Sequence, residues 1–128
     1  MKKIFLSFSL LYAVTISAQS KDYPIQAVPF TQVKLTDNFW LPRIKMNATV
    51  TIPASFERCE STGRVKNFVM AAGKSGKFCT IFPFDDTDIY KTIEGAAYSL
   101  SLFPDAALEK YIDSLITIVG NAQEPDGY

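Results

Sequence analysis

Apolar residues recur at helical spacing twice in the last third of the chain. In "DTDIYKTIEGAAYSLSLF", Ile89, Ile93, Ala96, Ala97 and Leu100 fall at i, i+4, i+7, i+8 and i+11, which puts them on one face of an amphipathic helix. Asp86 or Thr87 supplies a start signal and Pro104 a stop. In "DAALEKYIDSLITIVGNAQ", Leu108, Tyr111, Ile112, Leu115, Ile116 and Val119 form a wider stripe behind a cap at Asp105. The link "PDA" is short, so the two predicted helices lie antiparallel as an αα-hairpin.

The earlier chain is more broken. "PFTQVKLTDNFW" alternates apolar and polar residues, which predicts a short strand over Thr31 to Leu35. Such a strand needs a ladder partner that the remaining pattern does not supply. Asp37 can cap a helix that runs through Pro42, Ile44 and Ala48, and Pro53 should kink or split it because proline has no N–H to give. "ASFERCESTGR" resumes until Gly63, and a shorter helix over Val65 to Ala72 stops at Gly73. "GKSGKFCTIFPFDD" reads as a loop rich in aromatics, with Phe78, Phe82 and Phe84. The closing "EPDGY" is turn chemistry. The fold class is all-α with one short N-terminal strand, incomplete as given: the last stripe is wider than its neighbours in this chain can cover.

The N-terminus changes where this helical unit belongs. "MKKIFLSFSLLYAVTISAQS" has two lysines, an apolar run from Ile4 to Ile16 and small residues ending at Ala18, which is the layout of a secretory signal peptide over residues 1–18. The run is shorter than the roughly 20 residues of a spanning helix, and no later segment is apolar enough to cross a bilayer. Residues 19–29 read as an extended lead-in, and 30–128 as the helical domain. The expected product is exported, periplasmic or extracellular, with no membrane span once the signal is removed. Without Lys2 and Lys3, eleven basic residues face thirteen acidic ones. That balance offers no field for nucleic acid.

Composition also narrows the chemistry. There is no histidine, so the commonest general base and metal ligand is absent. Cys59 and Cys79 are too few for a disulfide framework and wrongly spaced for a zinc knuckle; they either pair with each other after export or stand as small apolar residues. The densest polar cluster is "FDDTDIYK", where Asp85, Asp86 and Asp88 sit near a helix start. Capping accounts for one or two of them, and acceptors for sugar hydroxyls or a cation are the functional alternative. Glu94, flanked by Tyr90 and Tyr98, is either a buried acid or an exposed partner of Lys91. Phe39 and Trp40 can stack on a sugar ring or anchor the helix entry.

Three blocks, "VPFTQVKLTDNFWLPRIKMNATVTIPASFERCESTGRVKNF", "DDTDIYKTIEGAAYSL" and "NAQEPDGY", together resemble the N-terminal part of glycoside hydrolase family 127, the β-L-arabinofuranosidase-like proteins. The resemblance runs from about Val28 to Tyr128 and covers only the start of a family member. It implies the leading helices of an (α/α)6 barrel and a carbohydrate substrate, arabinose-containing glycans above all. It also implies a retaining mechanism in which a cysteine thiolate attacks, a glutamic acid works as acid/base, and zinc is held by cysteines and a glutamate. Those residues belong to later parts of the family, so no catalytic residue, metal ligand or cofactor is assigned in this chain, and zinc is expected only in the full-length protein. Asp86 and Asp88 match a family motif and are the candidates for lining the sugar pocket. A small non-catalytic helical carbohydrate-binding module is the alternative. Whether the chain itself is an enzyme stays open on the sequence.

Overall fold

A computed structural model of the chain describes residues 25–79 and 84–128. The expected signal peptide at residues 1–18, the first part of the expected lead-in and Phe82 lie outside them. Among the described residues the regular structure is entirely helical: α1 (Trp40–Met46), α2 (Ile52–Ser61), α3 (Arg64–Ala72), α4 (Asp86–Leu102) and α5 (Ala106–Ala122). A single π-helical segment, Asn47–Thr51, joins α1 to α2.

The expected strand over Thr31 to Leu35 is not formed. Phe30–Gln32 make one 3-10 turn, closed by the Val33 N–H donating to the Phe30 carbonyl at 3.0 Å. Val33 is extended, with φ −96° and ψ 119°, but no neighbouring strand among the described residues offers it a ladder. Phe30 instead packs its ring edge-on against Tyr98 of α4, centroids 4.9 Å apart.

Asp37 caps α1 as its position suggests. Its carboxylate accepts from the backbone N–H groups of Phe39 (3.1 Å), Trp40 (2.7 Å) and Leu41 (3.2 Å), donors that the first helical turn leaves without carbonyl partners. The bond from Trp40 does most to hold the Asp37 carboxyl below its ordinary pKa, since it favours the charged form. Downstream, the helical path runs on through Pro53 without a break, so the expected kink or split takes the form of a local π turn. Thr51 and Ile52 both keep helical angles, and the wider π turn just before Pro53 takes up the change of register where no N–H can be offered.

Gly63 ends α2 in the left-handed region at φ 83°, which a side chain rarely adopts. A Cβ there would also lie 2.6 Å from the Cβ of Cys79, so the loop after α3 closes directly over this corner. The Asp105 carboxylate caps α5 by accepting from Ala107 N–H (3.0 Å) and Leu108 N–H (3.1 Å).

The core follows from the helical stripes. Ile52, Phe56 and Cys59 of α2, Val65 of α3, Ile89 and Ala96 of α4, and Ile112 and Leu115 of α5 are buried together. Tyr90, Ile93 and Glu94 in the first half of α4 border the same hollow as Ile116, Val119 and Gln123 at the end of α5, so the hairpin is antiparallel as predicted. Tyr111 ties α5 to α2: its ring meets Phe56 edge-on at 5.1 Å and its hydroxyl donates to Glu60 Oε1 at 2.8 Å. Burial and that bond both raise the Tyr111 phenol pKa.

Candidate functional site

The polar centre of the molecule is built where α3 and α4 begin. The left-handed Gly63 turns the chain so that Arg64 opens α3 facing the start of α4. The guanidinium then meets two carboxylates: NH2 lies 3.2 Å from Asp85 Oδ1, and Nε donates to Asp88 Oδ2 at 2.8 Å. A further N–H donates to the Thr62 hydroxyl. The bond to Asp88 is the largest reason the Arg64 pKa is raised, with Asp85 adding to it through charge.

Asp85, which the sequence grouped with Asp86 and Asp88 but did not carry into the sugar-pocket pair, is the most constrained of the three acids. It is only 3% exposed, and its Oδ2 has no hydrogen-bond partner among the described residues. A buried carboxylate in that position depends on its counter-charge. A signal for it exists in the chain: Asp85 stands four residues before Ile89, on the same stripe as Ile89 and Ala96. None of the three acids caps α4 with its side chain in the way sequence suggested. The N-cap position is Asp85, which makes no side-chain cap bond and is spent on Arg64 instead.

Asp86 and Asp88, the residues carried over as candidates for a sugar pocket, are placed differently from each other. Asp86 is exposed in the first turn of α4, whereas Asp88 is partly buried between Arg64 and Lys91, the latter at 3.8 Å. Two residues apart on a helix, they point to different sides. The pair therefore presents one solvent-facing carboxylate and one already held by cations.

Glu94 is exposed, and Lys91 does not serve it: the lysine turns to Asp88 and to the Thr87 hydroxyl at 3.2 Å. Glu94 instead borders an open hollow of about 330 Å³ with Tyr90 and Ile93 on one side and Ile116, Val119 and Gln123 on the other. Phe39 and Trp40 form an exposed edge-to-face pair at 5.0 Å, with the Arg43 guanidinium 3.7 Å from the Phe39 ring centre. A larger apolar groove of about 740 Å³ runs between residues 28–35, Leu41 and Ile44 of α1, and Leu102 and Phe103 at the end of α4.

The two cysteines are free and differ in surroundings. Cys59 is buried in α2, and burial pushes its thiol pKa up against the opposing effect of a hydrogen bond with Thr92. A thiol held protonated is a poor nucleophile. Cys79 is exposed in the loop after α3, its N–H donating to Asn67 Oδ1 at 2.8 Å. Among the described residues no three histidine, cysteine or acidic side chains converge in a way that could hold a metal ion. The cysteine and acid sets present here do not fit a zinc centre.

Residues 32–128 match the family described as "Beta-L-arabinofuranosidase, GH127 catalytic domain". The chain is similar to a non-reducing end β-L-arabinofuranosidase from Bifidobacterium longum subsp. longum, 35% identical over 77 residues, a match that covers 59% of this chain and 12% of that protein. It is also similar to a solved structure described as a GH127 β-arabinofuranosidase, with 60% identity and a TM-score of 0.77 over 83% of this chain and 17% of the other. The chain thus spans less than a fifth of the length of either relative.

Proposed function

The chain belongs to the GH127 β-L-arabinofuranosidase catalytic-domain family, and from that premise we propose that it forms the leading helices of an (α/α)6 barrel in an exported glycoside hydrolase acting on arabinose-containing glycans. The observation that carries this reading is the 60% identity and TM-score of 0.77 to a GH127 β-arabinofuranosidase across 83% of the chain.

Physical features of the chain support the same reading. Trp40, Tyr98 and Ile116 stand more than half exposed, and a separate groove of about 740 Å³ opens between Phe30, Val33, Leu41, Ile44 and Leu102, apolar surface of the kind that helices further along a barrel cover. The chemistry in this proposal belongs to residues beyond Tyr128. Cys59 is buried and its thiol pKa raised, Cys79 is exposed with its thiol donating to the Lys77 carbonyl, and among the described residues neither has the converging ligands a zinc-tuned thiolate requires. When bound in the full-length protein, zinc would supply stabilisation of a nucleophilic thiolate.

The role proposed for this chain is positional. Arg64 locks α3 to the start of α4, which sets where Asp86 emerges. Asp86 is then the acid available to accept from a sugar hydroxyl, and Asp88 holds the Arg64 side of the same turn. The retaining part of the proposal is tested by following the anomeric protons of the first sugar released from a β-L-arabinofuranoside by the full-length gene product. Initial appearance of the β anomer is expected; initial appearance of the α anomer would overturn it.

A further inference from the structure

A second recess lies away from the Arg64 cluster, between the end of α3 and the loop that follows it. The loop folds back along the helix it has just left. Gly73 N–H donates to the Val69 carbonyl (3.2 Å), Lys74 N–H to Ala71 (3.0 Å), Ser75 N–H to Met70 (3.2 Å), and Cys79 N–H reaches Asn67 Oδ1 (2.8 Å). Gly76 permits this return. It sits at φ 102°, and a Cβ there would lie 2.5 Å from the Met70 sulfur. The backbone is therefore fastened at four points between Asn67 and Cys79, and the loop and the end of α3 together line an open hollow of about 330 Å³.

The side chains around this hollow form a coherent set. Lys74 and Lys77 supply two cations, Ser75 and Asn67 supply polar groups, and Phe78 presents an aromatic ring that is 54% exposed. Lys74 Nζ lies 4.0 Å from Glu124 Oε2, with both side chains mostly in water. Exposed pairs of that kind are weak, so the Lys74 charge remains available. Two lysines and an aromatic ring lining one hollow suit a sugar ring that carries a carboxylate: the C–H face of the sugar can lie on the aromatic carbon surface and the anion takes charge-assisted hydrogen bonds.

We propose that this cradle is a secondary binding site for carboxylated sugars, gripping a uronate ring of an acidic glycan with Phe78 against the ring and Lys74 and Lys77 on the carboxylate. The site would hold the polymer near the protein without taking part in bond cleavage. The choice of a sugar over another carboxylate rests on the glycan-directed reading above. The experiment therefore measures binding rather than hydrolysis.

Isothermal titration of the full-length gene product with short oligogalacturonates is compared with titration by neutral arabino-oligosaccharides and by poly-glutamate of similar charge. Lys74→Ala with Lys77→Ala is expected to weaken oligogalacturonate binding about tenfold or more, Phe78→Ala several-fold, and raised salt should weaken the native protein most. Gly76→Val keeps both lysines but displaces the loop, and should lose binding to the same degree as the lysine pair. Circular dichroism and arabinose release of each variant report whether the helices and the main site are intact. Native-level binding by the double-lysine variant would overturn the proposal. So would equal binding of poly-glutamate that Phe78→Ala leaves unchanged, since charge alone would then suffice. If oligogalacturonate binds as proposed while arabinose release fails, the cradle stands and the glycosidase reading falls; the reverse pattern removes only the cradle.

Discussion

Removing the Arg64 guanidinium leaves the Asp85 carboxylate buried at 3% exposure with no counter-charge. Arg64→Ala is therefore expected to lower the unfolding midpoint well beyond Lys91→Ala, whose 3.8 Å contact with Asp88 is mostly exposed. Arg64→Ala combined with Asp85→Leu should recover most of the loss, because the second change removes the stranded charge. Denaturant titrations of the four proteins in that cycle give the coupling, and simple additivity would show that the pair is not coupled. Asp37 offers a pH test. Its folded-state pKa is depressed by the bond from Trp40 N–H, so its contribution is full above the ordinary value of 3.8 and is lost as pH falls through the depressed one. Helicity of the native protein should drop in that acid window, and Asp37→Asn should blunt the drop; an unchanged acid profile would refute the cap's contribution. Asp37 and Asp105 were legible in the sequence because capping needs only local chemistry. The pairing of Asp85 was not, because its partner Arg64 stands 21 positions away and no local rule links them.

At the scale of elements, the helical stripes decide which side chains matter. Leu115 is 1% exposed and lies in the shared core, so Leu115→Ala should cost about 2–5 kcal/mol in a chemical-denaturation experiment. Its neighbour Ile116 is 53% exposed and should cost far less in this chain; equal losses at the two positions would place the stripe wrongly. Gly63→Ala combines a strained φ of 83° with a contact 2.6 Å from Cys79 Cβ, and should destabilise the α2–α3 corner. A Gly63→Ala protein as stable as the native one would refute that account. The helices and their glycine stops were readable because periodicity and φ > 0 leave marks in sequence. The strand expected over Thr31 to Leu35 failed for a reason that lies outside the segment: alternation describes faces, and a strand also needs a ladder. The π turn at Asn47–Thr51 has no residue signature of its own beyond Pro53 nearby.

At the scale of the molecule, a small core and a broad apolar exterior go together. Among the described residues eight apolar side chains form the buried cluster, while Trp40, Tyr98 and Ile116 are left more than half exposed. That imbalance fits helices whose outer faces meet further helices, and the 12% and 17% coverage of the two relatives fits the same picture. The family was legible in three ordered blocks of sequence, and the helical class in the apolar periodicity. The candidate sugar contacts were legible only as a cluster of acids, since which of them faces solvent depends on where Arg64 reaches.

The central claim is that these residues form the front of a β-L-arabinofuranosidase whose chemistry is carried further along. The direct measurement is arabinose release from a β-L-arabinofuranoside, assayed side by side for the full-length gene product and for residues 19–128 alone. The account predicts turnover by the full-length protein and none by the short chain. Release by the short chain, or none by the full-length protein, would contradict it.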